Sequence, residues 1–302
     1  MSKLIRIGTR DSALALWQAN TVKLALENLG YETKLVPVKS TGDLNLNQPL
    51  YELGITGIFT KTLDIAMLNG EVDIAVHSLK DVPTLLPKGI VQTAVLERAS
   101  SEDILVHKGE YNPEEACIIA TGSLRRKAQW LNRYPHHQVV GLRGNVNTRL
   151  QKLSDNNWQG AIFARAGLER IEVLPEQFES LHWMVPAPAQ GAMVVVALEN
   201  DDFSRDATRK LNHEKSAICT GIEREFLNVL EGGCTAPIGA LATIVEDTIH
   251  FEGGLLSLDG QQKLSIKKSV SLGTHSDLGK NSALELLSQG GKELMEEIRK
   301  SQ

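Results

Sequence analysis

The chain has 302 residues, 42% hydrophobic and 23% charged, with a formal net charge of −5. That balance fits a folded globular protein of one large domain or two to three ordinary ones, and excludes a disordered chain. The acidic charge argues against a general nucleic-acid binder, and no apolar run reaches the length of a bilayer span.

The chain opens with an apolar strand, "KLIRIG", then the turn "TRDS", in which Asp11 or Ser12 caps a helix, "ALALWQANTVKLALENLG", that stops at Gly30. The opening lacks the long apolar core of a signal peptide, so export is not expected. "ETKLVPVKS" reads as the next strand, and residues 41 to 58, rich in Gly, Asn and Pro, read as a long loop. "FTKTLDIAMLNG" is a helix ending at Gly70, and "VDIAVHSL" is a buried strand. Strands alternating with helices predict a parallel sheet.

After about residue 100 the pattern restarts. "ACIIATGSLRRKAQWLNRYP" is strand, polar turn and helix, stopped by Pro135. "QVVGLRG" is a strand, Asn145 or Asn147 caps "VNTRLQKL", and "GAIFARAGL" is a strand running into a loop. "IGTRDSALALWQ" and "IATGSLRRKAQW" look alike, a weak internal repeat that hints at two similar α/β domains. "MVPAPAQGAM" suits an interdomain crossing or a substrate-lining turn. From about residue 214 a helix, "AICTGIEREFLNVL", precedes strands "IGALATIV", "IHFEGGLLSL" and "QKLSIKKSVSL" and a last amphipathic helix near "SALELLSQGGKELMEEIRK". Grouped strands with flanking helices predict a small α+β domain with an antiparallel sheet.

Ligands of parallel α/β sheets gather at the carboxyl ends of the strands. Arg10 and Ser12 follow the first strand there, and Ser78, Lys80 and Asp81 follow "VDIAVH". Thr121, Ser123, Arg125 and Arg126 follow "CIIA". Arg143 follows "VVGL", with Arg149 a turn into the next helix, and Arg165 and Arg170 lie past "GAIFA". Guanidinium forks and helix N-termini both favour anions, so the implied ligand carries several carboxylates or phosphates. A single helix arginine is more often a solvated face, as Arg133 or Arg170 could be, whereas the paired Arg125 and Arg126 directly behind a strand and cap sit where a ligand would. Asp81 either pairs with Lys80 or is a fixed anion facing a cation that forms during reaction. His77 in its apolar strand reads as a core histidine, His136 and His137 as surface loop, and Trp17 and Trp130 as core. No histidine and cysteine spacing suits a metal, and none is expected.

Three widely spaced cysteines, Cys117, Cys219 and Cys234, speak against a disulfide framework and for a reducing, cytoplasmic setting. Cys117 and Cys219 read as small buried residues. Cys234, in "LEGGCTAPIG", sits on a Gly-Gly turn and is presented rather than packed. No histidine motif accompanies it as a protease base, which leaves attachment of a prosthetic group.

Seven stretches together resemble the porphobilinogen deaminase (hydroxymethylbilane synthase) family: "TRDSALALWQA", "DIAVHSLKDVP", "TGSLRRKAQ", "LRGNVNTRL", "PAQGAM", "LNHE" and "LEGGCTAPIG". The resemblance implies two α/β domains like the halves of type II periplasmic binding proteins, over residues 1–96 with 191–211 and residues 97–190. It also implies a small C-terminal α+β domain over 212–302. It implies a dipyrromethane cofactor joined to Cys234 by a thioether, onto which four porphobilinogen units are added with loss of ammonia before water releases hydroxymethylbilane. Asp81 matches the catalytic aspartate. Cys234, Lys80, Ser78, Thr121, Ser123, Arg125, Arg126, Ser12 and Gly144 are the implied cofactor contacts. Arg10, Arg143, Arg149, Arg170 and Gln190 are the implied substrate contacts, and Arg125 and Arg126 also match carboxylate-binding arginines. The partner is the small molecule porphobilinogen, with neither nucleic acid nor membrane, and the family is typically monomeric. Thr56 and Glu52 stand where members of the family carry loop lysines, so Thr56→Lys is expected to change substrate affinity more than turnover. The competing reading is a non-enzymatic, two-lobed anion-binding or ligand-sensing protein.

Overall fold

A computed structural model describes residues 4–38, 60–109, 111–230 and 236–301. Cys234 with its Gly-Gly turn, Glu52, and the glycine loop with Thr56 lie outside the described residues.

Two five-stranded sheets and one three-stranded sheet organise the described residues. The first contains β1 (Ile5–Thr9), β2 (Thr33–Pro37), β3 (Ile74–Ser78), β4 (Ile90–Val95) and β10 (Met193–Leu198), in the order β2-β1-β3-β10-β4. The second contains β5 (Asp103–His107), β6 (Ile118–Ala120), β7 (Gln138–Val140), β8 (Gly160–Ala164) and β9 (Phe178–Ser180), in the order β7-β6-β8-β5-β9. The two orders are the same pattern. In each, the first strand pairs in parallel with the second and third, and a fourth runs antiparallel between the third and the last. The expected all-parallel sheet is therefore corrected. β10 and β5 are each the first strand after the chain passes from one sheet to the other, and they enter against the local direction.

The internal repeat is real at this level. β1 leads into α1 (Ala13–Asn28) as β6 leads into α3 (Leu124–Arg133). Both helices begin the same way, with a serine oxygen accepting the backbone N–H three residues on: Ser12 from Ala15 and Ser123 from Arg126, each at 3.4 Å. Asn145, not Asn147, caps α4 (Val146–Asp155) by accepting from Thr148 N. Apolar clusters line both faces of each five-stranded sheet. Ile5, Ile7, Val22 and Leu26 lie on one face of the first sheet, with Leu63, Met67, Val194 and Val196 on the other. The helix that supplies Leu63 and Met67 is α2 (Lys61–Leu68).

Three further expectations need correction. "GAIFARAGL" runs into a helix, α5 (Arg165–Glu169), rather than a loop. Trp130 is fully buried as expected, but Trp17 is 38% exposed on α1, with the Arg170 guanidinium 5.5 Å from its ring centroid. His136 is exposed, whereas His137 is buried, stacked on Tyr134 and accepting the Trp130 indole N–H at Nδ1. A ring with one apolar face and one polar edge can enter a core once that edge is partnered.

After α6 (Asp202–Arg209), α7 (Glu214–Val229) opens the third unit. Its antiparallel meander comprises β11 (Ile238–Val245), β12 (Thr248–Leu256) and β13 (Lys263–Ser271). Phe226 of α7 packs edge-on against Phe251 of β12, with ring centroids 5.2 Å apart, in a core shared with α8 (Leu278–Leu286) and α9 (Lys292–Lys300). The single last helix of the sequence reading is two, broken at Gly290, whose φ of +102° a helix cannot contain. The α+β unit with an antiparallel sheet is as expected. Among the described residues, no helix is long and apolar enough to cross a membrane.

Candidate active site

The site lies where strand ends of the two five-stranded sheets meet. β3 ends at Ser78, and a single 3-10 turn, Leu79–Asp81, follows it. Leu79 is fully buried and donates its N–H to Ala192 O, which leaves Lys80 and Asp81, both half-buried, at the edge. Ser78 Oγ accepts from Gln18 of α1 at 2.9 Å. From the second sheet, β6 delivers Thr121 and Ser123, and α3 begins with Arg125 and Arg126. Arg143 and Gly144 follow β7. Gly144 has φ +116°, a backbone that favours glycine, and its carbonyl accepts from Arg149 Nε at 2.7 Å. Gly144 thereby aims Arg149.

The crossing segment before β10 ties the halves together. Gln190, fully buried, accepts at Oε1 from Lys80 Nζ at 3.2 Å and from Arg126 Nη2 at 3.4 Å. Its Nε2 donates to Asp103 Oδ1 at 2.9 Å and to Ser101 O at 2.8 Å. One amide thus spans both sheets.

Asp103, the first residue of β5, is a residue the sequence reading missed. It is fully buried and stands 2.7 Å from Arg125 Nη1 and 2.8 Å from Arg126 Nη2. Burial pushes its carboxyl up, but Arg125 and Arg126 outweigh that and hold it down at about 2. The only available signal was an aspartate opening an apolar strand, "EDILVH". The structure therefore engages Arg125 and Arg126 internally. Arg125 also donates to Val185 O, and Arg126 to Ile162 O. Arg170 is likewise held, donating to Gly191 O at 2.7 Å. Arg165 pairs with Glu102 and Glu169 away from the cluster.

Positive charge accumulates at the centre. Lys80 is held down to about 8, first by burial and next by Arg126, with Asp81 pulling the other way. Arg149 is pushed down to about 10 by burial, then by Arg126 and Arg143, with Asp81 again opposing. His77 is held down to about 4 by burial, reinforced by Arg10, so it is neutral near pH 7. It is buried as expected, yet its Nε2 has no hydrogen-bond partner among the described residues. Cations that depress one another fit a group bearing several carboxylates, which would relieve the repulsion. A dipyrromethane with acidic side chains suits this donor set. Among the described residues, no group of three or more His, Cys, Asp and Glu could hold a metal.

The third unit reaches the same place through α7. Glu223, fully buried, accepts from Arg98 Nη1 at 2.6 Å and from the backbone N–H groups of Ala189 and Ala242. It joins the crossing segments to β11. Cys117 and Cys219 are buried, as expected.

Residues 5–206 match the family model described as porphobilinogen deaminase, dipyromethane cofactor binding domain, and residues 217–288 match that of the porphobilinogen deaminase C-terminal domain. The porphobilinogen deaminase of Chloroherpeton thalassium is 41% identical over 90% of this chain and 88% of its own. That of Nitratiruptor is 41% identical over 97% of this chain and 96% of its own. Among solved structures, the periplasmic VFT2 domain of Bordetella pertussis BvgS resembles 71% of this chain and 90% of its own, at 11% identity and a TM-score of 0.44. With both family models matched in sequence order and relatives alike over nearly their full length, the chain belongs to the porphobilinogen deaminase family.

Proposed function

We propose that the enzyme joins four porphobilinogen molecules, losing ammonia at each addition, onto a primer tethered to Cys234, and releases hydroxymethylbilane by hydrolysis. The observation that carries this reading is the convergence of Lys80, Arg126, Arg143 and Arg149 near Asp81, with Lys80 and Arg126 sharing one glutamine oxygen and Asp103 buried behind Arg126. Each pyrrole of the growing chain brings an acetate and a propionate, so the product is a string of carboxylates matched to that cluster. A non-enzymatic anion binder does not account for membership of this family.

When bound, the dipyrromethane supplies the carbon nucleophile and stays on the protein as the tether. Cys234 would hold it by a thioether, with Ser12, Ser78, Lys80, Thr121, Ser123, Arg125, Arg126 and Gly144 around it. Arg10, Arg143, Arg149, Arg170 and Gln190 would bind substrate carboxylates or set the residues that do. Asp81 would face the positive charge that develops as ammonia leaves porphobilinogen, and accept hydrogen bonds from pyrrole N–H groups. Lys80 beside it keeps the carboxylate from being the only charge at the turn. Residues 1–96 with 191–211, 97–190 and 212–302 are the proposed domains, supported by the sheets to which their strands belong. The setting we propose is a cytoplasmic monomer that binds neither nucleic acid nor membrane, supported by acidic charge and sparse cysteines.

Intact mass and turnover test the reading. The purified protein should exceed its sequence mass by two linked pyrroles, and Cys234→Ser should lose that excess. Asp81→Asn should fold and keep the mass excess but lose about 10²–10³ in kcat. Near-normal turnover by Asp81→Asn would remove the charge-stabilising role, and an unmodified, correctly folded chain would remove the primer.

A further inference from the structure

The turn carrying Asp81 is not held by its own domain alone. Arg224, in the second half of α7, donates from Nη1 to Leu79 O at 3.2 Å and to Val82 O at 2.9 Å, and from Nη2 to Pro83 O at 2.6 Å. These carbonyls bracket Lys80 and Asp81 on both sides. A one-turn 3-10 helix has little internal hydrogen bonding to keep its shape; here it has Val82 N to Leu79 O at 3.2 Å. A planar guanidinium satisfying three carbonyls of that turn fixes its path, as a flexible ammonium could not. Burial lowers the Arg224 pKa, yet the group stays charged at neutral pH. Its neighbour Glu223 anchors the same helix turn to Arg98 and to Ala189 N, so the clamp is mounted on a fixed base.

We infer that Arg224 is a positioning residue for Asp81: a side chain of the third unit sets where the carboxylate stands. The helix that carries the clamp ends at its cap, Leu230. This inference rests on the proposed role of Asp81. Displacing a catalytic group by about 1 Å can cost about 10² in rate, which sets the scale expected on removing the clamp.

The test uses holoenzyme whose cofactor content has been verified by intact mass. Arg224→Met is expected to lower kcat about 10–100-fold with KM changed less than about threefold, and Arg224→Lys to fall between it and the parent. Hydrogen exchange over residues 78–84 should accelerate in both variants, a readout independent of turnover. In an Asp81→Asn background, Arg224→Met should cost less than about threefold further, because the group it positions is gone. If Arg224→Met does not fold, Arg224→Lys carries the same comparisons. A kcat within about twofold of the parent in the folded variants overturns the inference. So does unchanged exchange over 78–84, or the full penalty repeated in the Asp81→Asn background. Failure of the Asp81 role itself is separable, since near-normal turnover of the single Asp81→Asn variant would reveal it without any change at Arg224.

Discussion

Replacing Asp103 by Asn keeps the shape of the side chain and removes its charge. The buried Arg125 and Arg126 then share no counter-ion, and an amide NH₂ must face at least one N–H donor where an oxygen stood. Breaking a buried ion pair from one side typically costs about 3–5 kcal/mol. A second route to the size comes from protonation. The two arginines hold the carboxyl down at about 2 in the folded protein, well below the ordinary carboxylate range, and a depression of that size is worth roughly 2–3 kcal/mol. Because the folded value is the depressed one, this stabilisation is complete above about pH 4 and disappears as pH falls through about 2. The assay is urea unfolding followed by tryptophan fluorescence, from pH 7 down to pH 3. Trp130, Trp158 and Trp183 all pack in the clusters of the second sheet, where Asp103 sits, so the signal reports on the right unit. The variant should lose about 3 kcal/mol or more at pH 7 and show a flatter acid limb than the parent. A loss under about 1 kcal/mol, or parallel acid limbs, would refute the assignment of Asp103 as the charge that permits two buried guanidinium groups.

Two other perturbations follow from the same site. Lys80 is protonated below about pH 8 and loses its charge above it, so KM for porphobilinogen should rise as pH climbs past 8. Lys80→Arg, charged throughout, should flatten that rise, and an equally steep profile would rule out Lys80 as its source. Gly191 has φ +86°, and a Cβ there would meet Ser100 O at 2.5 Å and Ala99 O at 2.7 Å. Gly191→Ala should therefore destabilise by about 2–4 kcal/mol, from backbone strain added to overpacking. An unchanged thermal midpoint would contradict it.

Periodicity made much of the architecture legible. Serine caps after apolar strands located α1 and α3, and the likeness of the two segments anticipated two sheets of one design. The strand pair that breaks the pattern was hidden for a physical reason. β5 and β10 are central strands buried on both faces, so "DILVH" and "MVVVAL" carry no alternation to separate them from their surroundings. Their direction depends on where the chain has come from, which no local window contains. Asp103 was missed on similar grounds, because its partners lie far along the chain. For Arg125 and Arg126 the sequence located the first turn of a helix directly behind an apolar strand, which is where α3 holds them. It could not reveal that an internal carboxylate engages them, since an arginine bound for a ligand and one bound for a buried aspartate are written the same way. Trp17 looked like core because it keeps helical spacing with apolar neighbours, yet it faces Arg170 across the gap between units.

The chain passes between its first two sheets twice, and the two passages lie side by side: Ala99 N bonds to Gly191 O, and Gly191 nestles against the carbonyls of residues 99 and 100. A doubled strap of this kind resists torsion and sideways shear far more than it resists folding along its own line. Relative twist of the two lobes therefore works against two paired lengths of backbone rather than one. Beside that strap Lys80 of the first lobe and Arg126 of the second share one glutamine oxygen, so a strain on either crossing is felt by both cations.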